Sequence, residues 1–279
     1  MKYQVDKEIK LFDFLIQKTG KKRKDIKQLL KYKNVYVDDN VQTYYAFLLT
    51  QGQIVEIKST KNELPFPILY EDKDIIVIDK PCGLLSEKTG LENQKTAYYI
   101  VKQYLLKKKE NIYLVHRLDQ YTSGILMFVK TKKLYEVLTH HWNEYVKIRG
   151  YQAIVEGQIK PSQGVIDNYL AESKTQNVYI TSSDKGKRAI TKYRVIQFNH
   201  KYSLLEVYLE TGRKNQIRVH FSSINHPLVG DLKYGAKTNP IKRLGLHAHE
   251  FMIIHPLTKK EMHFYSTVPQ SFHKLFKKY

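Results

Sequence analysis

The chain has 279 residues, 42% of them apolar, which suits one or two folded domains with a sizeable core and excludes a disordered chain. Lys and Arg total 47 against 27 Asp and Glu, a formal charge of +20, and the plain reading of that excess is a polyanionic partner, nucleic acid above all. The single cysteine, Cys82, excludes an internal disulfide and a multi-cysteine zinc site, and no apolar stretch approaches a membrane span or a signal-peptide core, so a cytoplasmic chain is expected.

Residues 1–57 read as a small separate unit. In KKRKDIKQLLKYKNVYVDD, Ile26, Leu29 and Leu30 have helical spacing, and Val35 and Val37 then alternate into an Asp-Asp turn. Lys21, Lys22, Arg23, Lys24, Lys27, Lys31 and Lys33 give that helix a cationic face, and QIVEI closes the unit as a strand. Residues 58–66 are mostly polar, with Pro65 and Pro67 around Phe66 at the end, and read as a linker. From 67 to 279 strand patterns dominate. ILYEDKDIIVIDK predicts a hairpin with a solvated turn at Glu71 to Asp74, and GILMFVKT, YQAIVEG, AITKYRVIQF, YSLLEVYLE, FMIIHP and EMHFYSTVP predict further strands. Helices are expected over 95–108 and over TKKLYEVLTHHWNEY, the latter with Leu134, Val137, Leu138, His141 and Trp142 on one face. No regular βαβ alternation and no Gly-rich phosphate loop appears. The predicted class is α+β, on a largely antiparallel mixed sheet with flanking helices.

Two stretches carry chemistry. HRLDQYTSG, residues 116–124, places Asp119 on a loop between the apolar runs 112–115 and 125–129. A carboxylate so placed needs a partner or a task; its plainest structural reading is an Asx-turn onto Tyr121 or Thr122. The second stretch, LETGRKNQIRVHFSSINHPLVGDLKYG, gathers Arg213, Lys214, Arg218 and His220 around an apolar segment read as a strand, with Arg218 facing away from Ile217 and Val219. An Arg in that setting needs a carboxylate or phosphate.

These stretches resemble the signature blocks of the RluA-type RNA pseudouridine synthases. ILYEDKDIIVIDKPCGL, KIRGYQAIVEG, GKRAITKY and LGLHAHEFMIIHPLTKKEM resemble further blocks of the family in the same order, over residues 66 to 270. The unit at 1–57 resembles an S4-type RNA-binding domain, here α/β, that precedes a catalytic domain at 67–279. Gln120 and Tyr121 depart from the family's basic-then-acidic pair, and Asn215 stands where a His is common; neither departure is expected to touch the catalytic set.

By this resemblance Asp119 is the catalytic carboxylate, Arg218 its ion-pair partner and Tyr151 the aromatic that stacks on the target uracil. Burial is expected to raise the Asp119 pKa and the paired Arg to oppose this. Asp119 adds to sugar or base, or acts as a base at C2′. Arg117 either contacts phosphate, forms a salt bridge, or fills the gap left by the flipped uridine. Arg213, Lys214, Lys22, Arg23 and Lys27 are the expected phosphate contacts. The isomerisation is redox-neutral, so no cofactor or metal is expected. His247, His249, His255 and His263 read as strand-edge packing, Cys82 as a turn residue. The expected partner is RNA, ribosomal before transfer RNA, with a monomer and no membrane. Two rivals remain at this point: an RNA-binding or ribosome-assembly protein with vestigial catalysis, and a glycoside hydrolase, which needs two carboxylates where one is seen.

Overall fold

The computed structural model describes residues 2–31, 34–57, 64–88 and 95–276; Lys33 and residues 58–63 of the expected linker lie outside them. The chain divides into two compact units, Met1–Phe66 and Pro67–Tyr279.

The first unit runs β1 (Lys2–Gln4), β2 (Ile9–Lys10), α1 (Leu11–Thr19), α2 (Arg23–Lys31), β3 (Val35–Val37), β4 (Asn40–Val41), β5 (Leu48–Leu49) and β6 (Ile54–Ile57). Four strands form an antiparallel sheet in the order β1-β6-β3-β4, and β2 pairs with β5. Asp38 and Asp39 both take positive φ, 47° and 63°, which two-residue hairpins between twisted strands favour. Ile26 and Leu30 of α2 enter one core with Leu11, Leu15, Val35 and Val55, while Lys22, Arg23, Lys24 and Lys27 face solvent.

The second unit runs β7 (Ile68–Glu71), β8 (Ile75–Lys80), α3 (Ala97–Leu106), β9 (Tyr113–Leu114), β10 (Ser123–Val129), α4 (Lys132–His140), α5 (Trp142–Tyr145), β11 (Val146–Glu156), β12 (Gln163–Glu172), β13 (Val178–Thr181), β14 (Lys187–Phe198), β15 (Tyr202–Leu209), α6 (Gln216–Ser223), β16 (Leu246–Ile254), β17 (Glu261–Tyr265) and α7 (Gln270–Lys274). One sheet follows the order β13-β12-β14-β15-β11-β16-β10-β8-β7, with β17 against β16 and β9 against β10. Among the described residues only β10 and β16 pair in parallel, so the class is α+β on a mixed, largely antiparallel sheet.

Strand β10 reads as an unbroken apolar run because both its faces are covered. Ile125, Met127 and Val129 pack with Leu134 and Leu138 of α4, and Phe128 on the other face meets Tyr98 of α3. Each such buried side chain contributes roughly 1.5 to 3 kcal/mol. On the other half of the sheet, Ala153, Val155, Leu205 and Val207 receive Ile217 and Phe221 of α6.

Four expectations change. QIRVHFSS is the helix α6, not a strand: Ile217, His220 and Phe221 are buried at i, i+3, i+4, a period that four alternating residues did not reveal. TKKLYEVLTHHWNEY breaks at His141 (φ −121°, ψ 33°) into α4 and α5; Leu134 and Leu138 are buried, and His141 is exposed. The turn at Glu71 to Asp74 is not solvated throughout. Glu71 accepts from Lys130 at 2.8 Å and from Lys108 and Tyr104 at 2.7 Å, and Asp74 is buried. Finally, β12 and β13, which the apolar patterning leaves unassigned, complete the sheet edge.

Candidate active site

The HRLDQYTSG loop connects β9 to β10. Gly124, at its exit, has φ 110°, and a Cβ there would collide with the Ala248 carbonyl of β16, so only glycine fits this approach. Ala248 is the register partner of Gly124 on one side and of Tyr151 on the other. That shared neighbour puts the Asp119 loop and Tyr151 at one level of the sheet.

The PCGLLS segment after β8 holds the loop on both sides of Asp119. Ser86 Oγ donates to the Leu118 carbonyl at 2.7 Å and accepts from the Leu118 N–H at 3.0 Å. The Gly83 N–H donates to the Gln120 carbonyl at 2.9 Å. Lys80, with no exposed surface, donates through Nζ to the carbonyls of Leu84 (2.7 Å), Gln120 (3.1 Å) and Pro81 (3.2 Å). Burial pulls the Lys80 pKa down to about 8, against the opposing pull of Cys82 and Asp119. Cys82 itself is half-buried in this turn, its Sγ 3.1 Å from the Tyr121 carbonyl.

The Asp119 carboxylate is half-buried and forms no Asx-turn; the Thr122 N–H reaches the Asp119 carbonyl instead, at 3.1 Å. Its ion partner is Arg218, as expected, through Nη1 at 3.4 Å. Arg218, however, makes its short bonds elsewhere. Nε and Nη2 grip Asp231 at 2.7 and 2.8 Å, a bidentate pair in which Asp231 is 1% exposed. Asn215 Oδ1 accepts from Arg218 Nη1 at 3.0 Å, and Asn215 Nδ2 donates to the Tyr234 hydroxyl at 2.9 Å. The Tyr234 ring lies 4.8 Å from the guanidinium. Burial works against the Arg218 charge, but the Asp231 pair outweighs it and raises the pKa. Asn215 therefore does touch the expected catalytic set, through Arg218, and it does so from a left-handed backbone (φ 53°) that Asn tolerates well. Two further carboxylates lie close by, Asp231 and, in the cavity wall, Glu172; Arg218 holds the first and Lys214 the second, so neither stands free as the partner acid or base of a glycosidase.

Tyr151 lines the same cavity, and burial raises its phenol to about 12. His116, also in the wall, accepts from the Met127 N–H at 3.0 Å and stacks on Phe251 at 5.1 Å. Desolvation and then the neighbouring Arg149 lower its pKa to about 3, so the ring is neutral. Arg117 is exposed and pairs with Glu87 at 3.0 Å. Arg213 Nε donates to the Arg188 carbonyl at 3.0 Å, and Lys214 pairs with Glu172. Six of the nine residues singled out in the sequence thus surround one cavity of about 660 Å³: Asp119, Tyr151, Arg218, Arg117, Arg213 and Lys214. Lys22, Arg23 and Lys27 are exposed on the first unit, where the Arg23 guanidinium lies 5.3 Å from the Phe12 ring.

The histidines are scattered. His247 lies inside the sheet on β16, not at an edge, with Nδ1 2.8 Å from Ser123 Oγ; His263 Nε2 is 2.8 Å from Glu250. His249 is the extra residue where Gly150 pairs with Glu250 and Tyr151 with Ala248. Sequence reasoning missed Lys80, Ser86, Asp231, Asn215 and Arg149 as parts of the site. Asp231, polar within PLVGDLKYG, is the visible signal; a lysine closing the apolar run IIVID carries none.

A family model described as RNA pseudouridylate synthase matches residues 74–223. Ribosomal large subunit pseudouridine synthase D of Zymomonas mobilis is 35% identical over 233 residues, covering 77% of this chain and 73% of its own length. An RNA pseudouridine synthase of Aquifex aeolicus is 31% identical over 278 residues, covering 91% and 88%. The solved structure of human RNA pseudouridylate synthase domain containing 4 shares the fold at a TM-score of 0.61 and 24% identity, over 74% of this chain and 90% of that one.

Proposed function

The chain belongs to the RNA pseudouridylate synthase family and is an RNA pseudouridine synthase, and from that premise we propose that Asp119 is its catalytic carboxylate and large-subunit ribosomal RNA its substrate. The reaction breaks the bond from ribose C1′ to uracil N1 and joins C1′ to C5; a proton leaves C5 and one is gained at N1. The observation that carries the reading is the Asp119 carboxylate in a cavity beside Tyr151, touched by Arg218 only through a 3.4 Å contact. An ionised carboxylate held this way is free to attack the sugar or the ring, or to take the C2′ proton. The clamp from Ser86, Gly83 and Lys80 fixes the backbone on both sides of it, which supplies the positioning such a step needs.

Tyr151, neutral below about pH 12, offers its ring to the uracil and its hydroxyl as a relay that accepts the proton leaving C5 while handing its own to solvent. The uridine must leave its stack to enter the cavity. Arg117 sits at the cavity with one exposed ion partner, a surface pair worth less than about 1 kcal/mol, and RNA can displace Glu87 from it. We assign it the space the flipped base vacates. The S4-like unit contributes phosphate contacts through Lys22, Arg23 and Lys27.

The test is an Asp119→Asn chain given a large-subunit ribosomal RNA transcript. Retained binding with no pseudouridine is expected; pseudouridine formed at the wild-type rate overturns the assignment. Mapping pseudouridines in a strain lacking the gene tests the substrate, with the missing site expected in large-subunit rather than transfer RNA.

A further inference from the structure

Arg149 has no task in the chemistry assigned to Asp119 and Tyr151. It lies on β11 two residues before Tyr151, and it lines the cavity that holds Asp119. Its Nη2 donates to the Glu210 carbonyl at 2.7 Å, while the Glu210 carboxylate is taken by Lys192. Among the described residues no carboxylate pairs with Arg149. Burial is the main cause that lowers its pKa, and Arg213 nearby adds to it. Arg213, which is exposed, also lines the cavity, donates to the Arg188 carbonyl at 3.0 Å, and has no acidic partner among the described residues. The other cations of the wall are already matched, Lys214 by Glu172, Arg218 by Asp231 and Arg117 by Glu87. Gly212, next to Arg213 in the chain, runs so close to Arg149 that a Cβ there would lie 2.7 Å from its Nη1.

A desolvated cation without an anion is costly, and a second like charge beside it adds to the cost. The planar guanidinium fork fits a phosphate with two parallel donors. We infer that Arg149 and Arg213 form a phosphate-binding subsite that seats the RNA backbone at the target uridine and so sets its ribose against Asp119. The inference rests on the reading of this cavity as the site of modification. It replaces Lys214, which Glu172 already holds, with Arg149 as the partner of Arg213.

The test measures binding of the full-length protein to a large-subunit ribosomal RNA transcript across a salt series. Each phosphate that the protein no longer neutralises lowers the slope of log K on log salt by about 0.7 to 0.9. Arg149→Gln is expected to weaken binding about tenfold at low salt and to lower the slope by one such step, and Arg149→Gln with Arg213→Gln by two. Arg149→Lys keeps the charge and should keep the slope. Gly212→Ala leaves both charges in place and pushes only the flexible end of Arg149, so the fold is retained; it should weaken binding, with no further weakening once Arg149 is Gln. Lys259→Gln, which removes one exposed cation against Tyr145, should leave the slope unchanged. An unaltered slope in Arg149→Gln overturns the proposal, whether affinity is retained or falls; a fall with the slope unaltered would place Arg149 on the base instead. Pseudouridine formed by the wild-type chain on the same transcript reports separately on the proposed function, because the slope is read from binding alone.

Discussion

Arg218 grips Asp231 through two nitrogens at 2.7 and 2.8 Å and reaches Asp119 through a third at 3.4 Å. Its charge is thus matched by a buried carboxylate that takes no part in the chemistry. Arg218 becomes a fixed donor beside Asp119 rather than a counter-charge that locks it. In the role proposed for Asp119, its oxygens keep their freedom to approach the ribose, and the arginine is already desolvated and oriented when the RNA arrives.

The pair makes a stability prediction. Asp231→Ala leaves the Arg218 charge buried and unmatched, which should cost about 3 to 5 kcal/mol in chemical denaturation. Adding Arg218→Met should recover a large part of that loss, because the stranded charge is gone. Strictly additive losses would show that the two side chains are not energetically coupled.

Lys80 should behave as a positioning residue of the Asp119 loop. Lys80→Met keeps the apolar stem but deprives three carbonyls of their donor, and about 2 to 4 kcal/mol of stability should go with it. Modification should fall more steeply than RNA affinity, since the loop and not the basic surface is loosened. Equal falls in both would argue against this role.

Tyr151 is held neutral, with its phenol near 12. The single-turnover rate should therefore show no increase between pH 8 and 10 from a phenolate, whose population there is about 1% or less. Tyr151→Phe keeps the ring and should bind RNA within a few-fold of wild type, while the rate drops by about a hundredfold, the usual worth of a proton-transfer group. A Phe variant of full rate would reduce Tyr151 to a stacking platform.

His220 of α6 is completely buried, with both ring nitrogens unpartnered, and burial depresses its pKa from 6.5 to about 4. Below pH 6.5 the unfolded chain takes up a proton that the folded chain refuses. Stability therefore falls as pH drops from 6.5 toward 4, by about 2 to 3 kcal/mol from this residue at pH 4.5. Denaturation of His220→Leu across that range should show a flatter decline than wild type. An identical decline would mean that the buried ring is not the sensor.

The exposed cations of the first unit are open to a charge test. Replacing Lys22, Arg23 and Lys27 together by Gln should leave the melting temperature of the chain nearly unchanged, since all three side chains face solvent. The salt slope for ribosomal RNA binding should fall by about two units if three phosphates go unneutralised. A slope equal to that of wild type removes this face from the RNA interface.

The local motifs were legible in the sequence because they obey short-range rules. Unbroken or alternating apolar runs marked β8, β10, β11 and β15. The net charge pointed to nucleic acid, and HRLDQYTSG, KIRGYQAIVEG and TGRKNQIRVHF pointed to Asp119, Tyr151 and Arg218 through the family they resemble. Other features depend on groups far apart in the chain. QIRVH satisfies the strand and the helix period over so few residues that only packing against β11 and β15 makes it α6. Lys80 and Gln120 are forty residues apart, and a lysine at a strand end reads as solvent-facing until a loop closes over it. Tertiary structure also decided which carboxylate holds Arg218, since charge pairing is set by distance in space. It left Arg149 and Arg213 unmatched in the same wall, where the remaining anion is the RNA itself.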